Sequence, residues 1–201
     1  MISTKNLAAL RGERLLFRGV TFSLGPGEAM RITGANGSGK TTLLRILAGL
    51  SEPEQGQVSW GSQNIRDCRE EYYRHLAYSG HQFGLRGDLT ALENLRYLLP
   101  RTTTDAALVE TMQQVGLERC VDLPARYLSQ GQRRRLILAR LLAAEASCWI
   151  LDEPLAALDT AGIKMVESLC AEHLQNAGIL IITSHQNLSS ALGGIAELRL
   201  G

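Results

Sequence analysis

Residues 34–42 read Gly-Ala-Asn-Gly-Ser-Gly-Lys-Thr-Thr, a G-x-x-x-x-G-K-[ST] pattern. Its glycines let the backbone bend tightly enough to aim successive N–H groups at one anion. The chemistry is phosphate binding: Gly34, Ala35, Asn36, Gly37, Ser38 and Gly39 form the cradle, and Lys40 reaches the β- and γ-phosphates. Thr41 and Thr42 close the pattern, with the Thr41 hydroxyl suited to Mg²⁺. A structural glycine turn would explain the glycines but not Lys-Thr in register behind them. A second group ends the apolar run Cys148-Trp149-Ile150-Leu151 with Asp152 and Glu153. Asp152 is placed to hold Mg²⁺ through water, and Glu153 to orient and polarise an attacking water. A third, Leu128-Ser129-Gln130-Gly131-Gln132, opens a long helix. Ser129 can cap that helix and Gly131 permits close approach. As a second phosphate-binding surface it would serve a nucleotide held by another copy; an ordinary N-cap is the alternative.

The elements that must carry these groups are legible in the hydrophobic pattern. Val20–Leu24 alternates apolar and polar residues, Gly25-Pro26-Gly27 turns, and 28–33 is a strand running into the glycine loop. Leu43, Leu44, Ile46 and Leu47 then repeat at helical spacing until Gly49. Val58–Trp60 fits an edge hairpin. From about 85 to 145 the pattern is helical: Thr90 with Glu93 is a capping box, a second stretch spans 105–115, and a third spans 130–144. Strands return at 148–151 and 179–183, flanking a helix with Ile163, Val166, Leu169, Cys170 and Leu174 on one face. Two apolar strands around an amphipathic helix imply a parallel sheet covered on both faces. One α/β core with an inserted helical sub-domain follows.

Composition excludes several classes. The 201 residues carry 21 Lys plus Arg against 20 Asp plus Glu, a net charge of +1 that gives a nucleic-acid partner no basic face. No apolar run reaches a membrane span, and Met1–Lys5 lacks a signal peptide's apolar run, so a cytoplasmic chain is expected. Cys68, Cys120, Cys148 and Cys170 are too scattered for zinc or redox pairs, and are expected to be buried or inert. Arg133-Arg134-Arg135 reads as a solvated helix face with a minor chance of touching anionic lipid, and His75 and His173 read as solvated.

The order of the phosphate loop, Gln82, Leu-Ser-Gln-Gly-Gln, Leu-Asp-Glu-Pro, Leu155-Ala156-Ala157-Leu158-Asp159 and His185 resembles the ATP-binding cassette (ABC) ATPases along essentially the whole chain. The resemblance implies an α/β P-loop NTPase of ABC type across 1–201. Its parts would be a RecA-like parallel-sheet core, an N-terminal antiparallel β sub-domain and a helical sub-domain at roughly 85–145. It implies a head-to-tail homodimer enclosing two ATP molecules with Mg²⁺. By position, Glu153 would be the catalytic base, Gln82 the Q-loop residue touching metal and water, and His185 the switch histidine on the γ-phosphate. Thr41, Gln82 and Asp152 would serve Mg²⁺, while Ser129 and Gly131 would contact the opposite copy's γ-phosphate. Asp159 would be the D-loop acid. Gln130 and Ala157 stand where the family has glycine and serine. Arg11-Gly12 stands where it has an adenine-stacking aromatic, leaving that place to Arg11 as a planar cation or to Phe17.

The variable segments 32–37, 80–82, 89–95 and 149–155 look like the haem-exporter ATP-binding subunits of cytochrome c maturation, and only 16 residues follow His185. That likeness implies ATP-driven release of a haem-loaded periplasmic chaperone. The chain would sit peripherally on the cytoplasmic face of the bacterial inner membrane, beneath integral-membrane B- and C-type subunits and a small D subunit. It would bind neither haem nor nucleic acid, His81 belonging to the nucleotide loop beside Gln82. The ATP-binding subunit of another small-cargo ABC importer or exporter is the alternative.

Overall fold

Two sheets and the helix wedged between them set the architecture. The computed structural model describes residues 1–80, 84–99, 103–184 and 192–201. Gln82 and His185, with His81 beside Gln82, lie outside the described residues. Strands β1 (Ile2–Arg11), β2 (Arg14–Leu24), β4 (Gln55–Trp60) and β5 (Gln63–Asn64) pair antiparallel in the order β2-β1-β4-β5. Strands β3 (Ala29–Gly34), β6 (Leu76–Ser79), β7 (Cys148–Asp152), β8 (Ile179–Thr183) and β9 (Ala196–Leu200) form a parallel sheet ordered β6-β7-β8-β3-β9.

Strands β7 and β8 are buried at every position, which is why their sequences read as unbroken apolar runs. Alternation still operates within them. Cys148, Ile150, Ile179 and Ile181 face one apolar cluster, with helix α1 (Lys40–Leu47) and the antiparallel sheet. Trp149, Leu151, Leu180 and Ile182 face the other, with the remaining helices. That second layer includes α3 (Ala91–Leu98), α4 (Asp105–Gln114), α5 (Gln130–Ala143) and α6 (Thr160–Gln175). A short helix, α2 (Arg69–His75), precedes β6 and buries Tyr72, whose hydroxyl donates to the Leu47 carbonyl at 2.7 Å.

Local chemistry places the helix ends. The Thr90–Glu93 capping box starts α3, with both reciprocal hydrogen bonds formed. Asn94, 1% exposed, donates to the carbonyls of Arg86, Leu89 and Thr90 and accepts from the Arg86 N–H, pinning 86–90 to α3. Ser129 and Gln132 form a second capping box at the head of α5.

Of the two histidines expected in solvent, His173 is structural and His75 is half-buried, its side chain 40% exposed. His173 stacks on Trp149 at 4.1 Å between ring centroids and donates from Nε2 to the Ile179 carbonyl; burial lowers its pKa. His75 stacks on Trp60 at 5.3 Å and bonds Ser147 Oγ at 3.1 Å. Burial pushes the Cys148 and Cys170 thiols up to about 12, in keeping with inert cysteines. Among the described residues no helix is long and apolar enough to cross a membrane.

Candidate active site

The glycine loop joins the end of β3 to α1, and two glycines show why it cannot carry larger residues. Gly34 has φ +147°, and a Cβ there would collide with the Leu200 carbonyl of β9 and sit 2.6 Å from Ser38 Oγ. Gly39, the N-cap of α1 at φ +101°, packs so closely on β2 that a Cβ would lie 3.0 Å from both Leu16 and Phe17. Ala35, Asn36 and Gly37 are exposed. No side chain caps α1 and no acid occupies its first turn, so its N–H groups and positive dipole end are open to an anion. Lys40 Nζ donates to the Gly34 and Ala35 carbonyls at 2.8 and 3.2 Å, which holds the ammonium at the loop. Thr42 follows in the same first turn.

Across the loop, the carboxyl ends of β7 and β8 bring Asp152 opposite Thr183 in register. Asp152, 3% exposed, accepts from Thr41 Oγ1 at 2.8 Å on one carboxylate oxygen and from Thr183 Oγ1 at 2.7 Å on the other. The Thr183 hydroxyl oxygen in turn accepts from the Glu153 N–H at 2.9 Å. One hydroxyl thereby orients the acid and fixes the backbone of the next residue. Burial and the neighbouring Asp152 charge raise the Tyr78 phenol above its ordinary value. The sequence places Thr183 only as the last residue of the strand at 179–183. Its signal was a hydroxyl ending an apolar strand that pairs with the strand bearing the acids.

A second cluster gathers the signature turn and the segment after Glu153. Ser129 is exposed at the head of α5, and a Cβ on Gly131 would lie 3.5 Å from the Ala157 carbonyl. Asp159 caps α6 by accepting from the Gly162 N–H at 2.7 Å and also takes a contact from Arg135 at 3.4 Å. The arginine run is therefore not a solvated face. Arg133 donates to the Ala125 and Arg126 carbonyls, Arg135 reaches Asp159, and Arg134, 7% exposed, donates to the Glu153 carbonyl. Arg11 is the last residue of β1, exposed opposite Arg14. Phe17 is 6% exposed beneath Gly39, so its ring is committed to packing and offers no stacking face.

The donor set fits a nucleotide with Mg²⁺. Ser38 Oγ is buried with no hydrogen-bond partner among the described residues, the α1 N-terminus is uncapped, and a hydroxyl and a carboxylate meet at Thr41–Asp152. Oxygen ligands of that kind suit a hard divalent cation.

Comparison with known proteins decides the class. The ABC transporter family model matches residues 17–156. The chain belongs to the ABC transporter family. Over its whole length it is 45% identical to the cytochrome c biogenesis ATP-binding export protein CcmA of Vibrio cholerae, covering 99% of that protein. It is 44% identical to the protein of that name from Escherichia coli K12, covering 96% of it. In three dimensions it resembles the dimeric structure of MJ0796, a bacterial ABC transporter cassette: TM-score 0.85, 26% identity, 99% of this chain and 94% of that one. A post-hydrolysis dimer of MJ0796 bound to ADP and Pi gives a TM-score of 0.82 at 26% identity, covering 100% and 94%. The chain is an ATP-binding subunit of the ABC type, an ATPase coupled to transport. Its α/β P-loop fold, with antiparallel and parallel sheets and inserted helices, is the one the motif order implied.

Proposed function

We propose that this chain is the ATP-hydrolysing subunit of a haem-exporter type complex for cytochrome c biogenesis. In it, turnover releases a haem-loaded periplasmic chaperone from integral-membrane B- and C-type subunits with a small D subunit. The observation that carries the catalytic part is the network joining Thr41, Asp152, Thr183 and the Glu153 backbone at the foot of the glycine loop. Full-length likeness to the CcmA proteins supports the physiological part. The protein would sit on the cytoplasmic face of the inner membrane through its partners, without touching haem or nucleic acid itself.

In this reading the loop N–H groups, the α1 N-terminus and Lys40 bind the β- and γ-phosphates. Thr41 and Asp152, with Gln82, would hold Mg²⁺, which supplies charge neutralisation to those phosphates when bound. Glu153 takes the proton of the attacking water as its oxygen bonds to the γ-phosphorus. The bond to the β–γ bridging oxygen breaks and ADP departs. By its place in the motif order His185 would be the switch histidine for the γ-phosphate, and Arg11 would stack on adenine. Two copies close head to tail, so Ser129 and Gly131 of one copy complete the phosphate shell of the other, with Asp159 at the junction. Preorganised donors from both copies then meet developing charge, and hydrolysis depends on closure.

Lys40→Ala removes the phosphate-compensating charge and is expected to abolish phosphate release in a malachite-green assay. Unchanged turnover would contradict the loop assignment. Affinity capture of the intact chain from detergent-solubilised inner membranes tests the physiological part. Recovery of cytochrome c maturation membrane subunits supports it, and recovery of an unrelated permease overturns it.

A further inference from the structure

Three consecutive arginines on α5 point three ways, because successive helical residues are rotated by about 100°. Arg133 folds back on the Ala125 and Arg126 carbonyls, Arg135 reaches Asp159, and the middle one, Arg134, turns inward. A buried guanidinium is costly unless its donors are used, so its partner matters. Among the described residues, its Nη1 donates to the carbonyl of Glu153. Burial lowers the Arg134 pKa, while the Glu153 and Asp152 carboxylates act to raise it.

Glu153 sits at φ +51°, a left-handed conformation that is unfavourable for a residue bearing a side chain. Hydrogen bonds to the described residues hold its backbone there. Its N–H donates to Thr183 Oγ1 at 2.9 Å, and its carbonyl accepts from Arg134 and from the Ala156 N–H at 3.2 Å. The first two reach Glu153 from other elements, β8 and α5. By fixing the Glu153 backbone, these ties set the direction of its Cα–Cβ bond and the rotamers from which the carboxylate can reach. The α5 tie is the notable one. The same helix begins at Ser129, only five residues and about 7.5 Å before Arg134.

We propose that Arg134 is a positioning residue for ATP hydrolysis. By gripping the Glu153 carbonyl from the helix that Ser129 heads, it sets the carboxylate for proton abstraction and ties this base to the state of the signature turn. Arg135 secures the far end of the same segment through Asp159, so 153–159 moves with α5. In a head-to-tail dimer the Ser129 end meets the second copy's nucleotide. Occupation of one site thus sets the base of the other. The inference rests on Glu153 being the base.

The test measures ATP hydrolysis and nucleotide affinity of the purified full chain for Arg134→Gln, Arg134→Lys, Glu153→Gln and the Arg134→Gln/Glu153→Gln double variant. Arg134→Gln is expected to lower kcat by about tenfold to hundredfold while ATP affinity stays within about twofold, the signature of misplacement rather than lost binding. Arg134→Lys, which keeps charge and one donor, recovers part of the loss. The double variant is expected to be no slower than Glu153→Gln alone. Unchanged kcat in Arg134→Gln, a parallel loss of affinity, or a further loss in the double variant overturns the proposal. If Arg134→Gln does not fold, Arg134→Lys carries the same criteria, alone and combined with Glu153→Gln. Normal turnover of Glu153→Gln would instead refute the base assignment, whatever Arg134 does.

Discussion

Asp152 owes its orientation to hydroxyls on two different elements, Thr41 at the start of α1 and Thr183 at the end of β8. Removing one of them should be felt in chemistry more than in folding. Thr183→Val keeps the β-branched shape but takes away the donor to Asp152 and the acceptor for the Glu153 N–H. The expected result is a fall of about tenfold or more in turnover and a weaker apparent Mg²⁺ affinity, as for other groups that orient ligands. A Mg²⁺ titration of activity checks it; a normal Mg²⁺ midpoint and kcat would show that Thr41 alone suffices. The loop and the acid pair were legible in the sequence because each is a compact local pattern, a glycine run ending in Lys-Thr and two acids closing an apolar strand. Thr183 and Arg134 were not, since each acts through a residue about 30 or 20 positions away that only folding brings near. Yet the arginine run held a usable warning: three adjacent positions on a helix cannot all share the solvent face.

Helix and strand boundaries follow how strongly each element is specified locally. The capping boxes at Thr90 and Ser129 were readable because a hydroxyl and a Glu or Gln three residues later mark a helix start by themselves. Strands β7 and β8 were readable because both faces are buried. Edge strands β6 and β9 and the short helix α2 were missed. β6 has only four residues, β9 buries only Leu200 and α2 buries only Tyr72, so little periodicity remains to detect. The end of α6 yields a pH prediction. His173 is pressed between Trp149 and the Gly178 backbone, and burial lowers its pKa. The unfolded chain takes up that proton as pH falls through about 6.5, whereas the folded chain resists until lower pH. Stability from this histidine is therefore complete above about pH 6.5 and declines on acidification toward the folded value. Melting temperatures followed from pH 7.5 to pH 5 should drop less steeply in His173→Gln than in the parent. Parallel slopes would mean that the ring titrates as it does in the unfolded chain.

At the scale of the whole molecule, the two apolar clusters on either side of the parallel sheet hold α1 against one face and α5 and α6 against the other. The glycine loop, the acids and the signature turn thus sit on separate elements of one scaffold. Within the chain, Thr41, Asp152 and Thr183 converge, whereas Ser129 and Gly131 gather with Ala157 and Asp159 instead. That division suits the proposed ATP sandwich between two copies, and the fold itself is that of the MJ0796 cassette at a TM-score of 0.85. The most direct test combines sedimentation with phosphate release for Glu153→Gln in ATP and Mg²⁺. An ATP-dependent dimer is expected, forming without ADP production and dissociating when ATP is withdrawn. A variant that hydrolyses ATP at the parent rate, or remains monomeric with ATP bound, would contradict it.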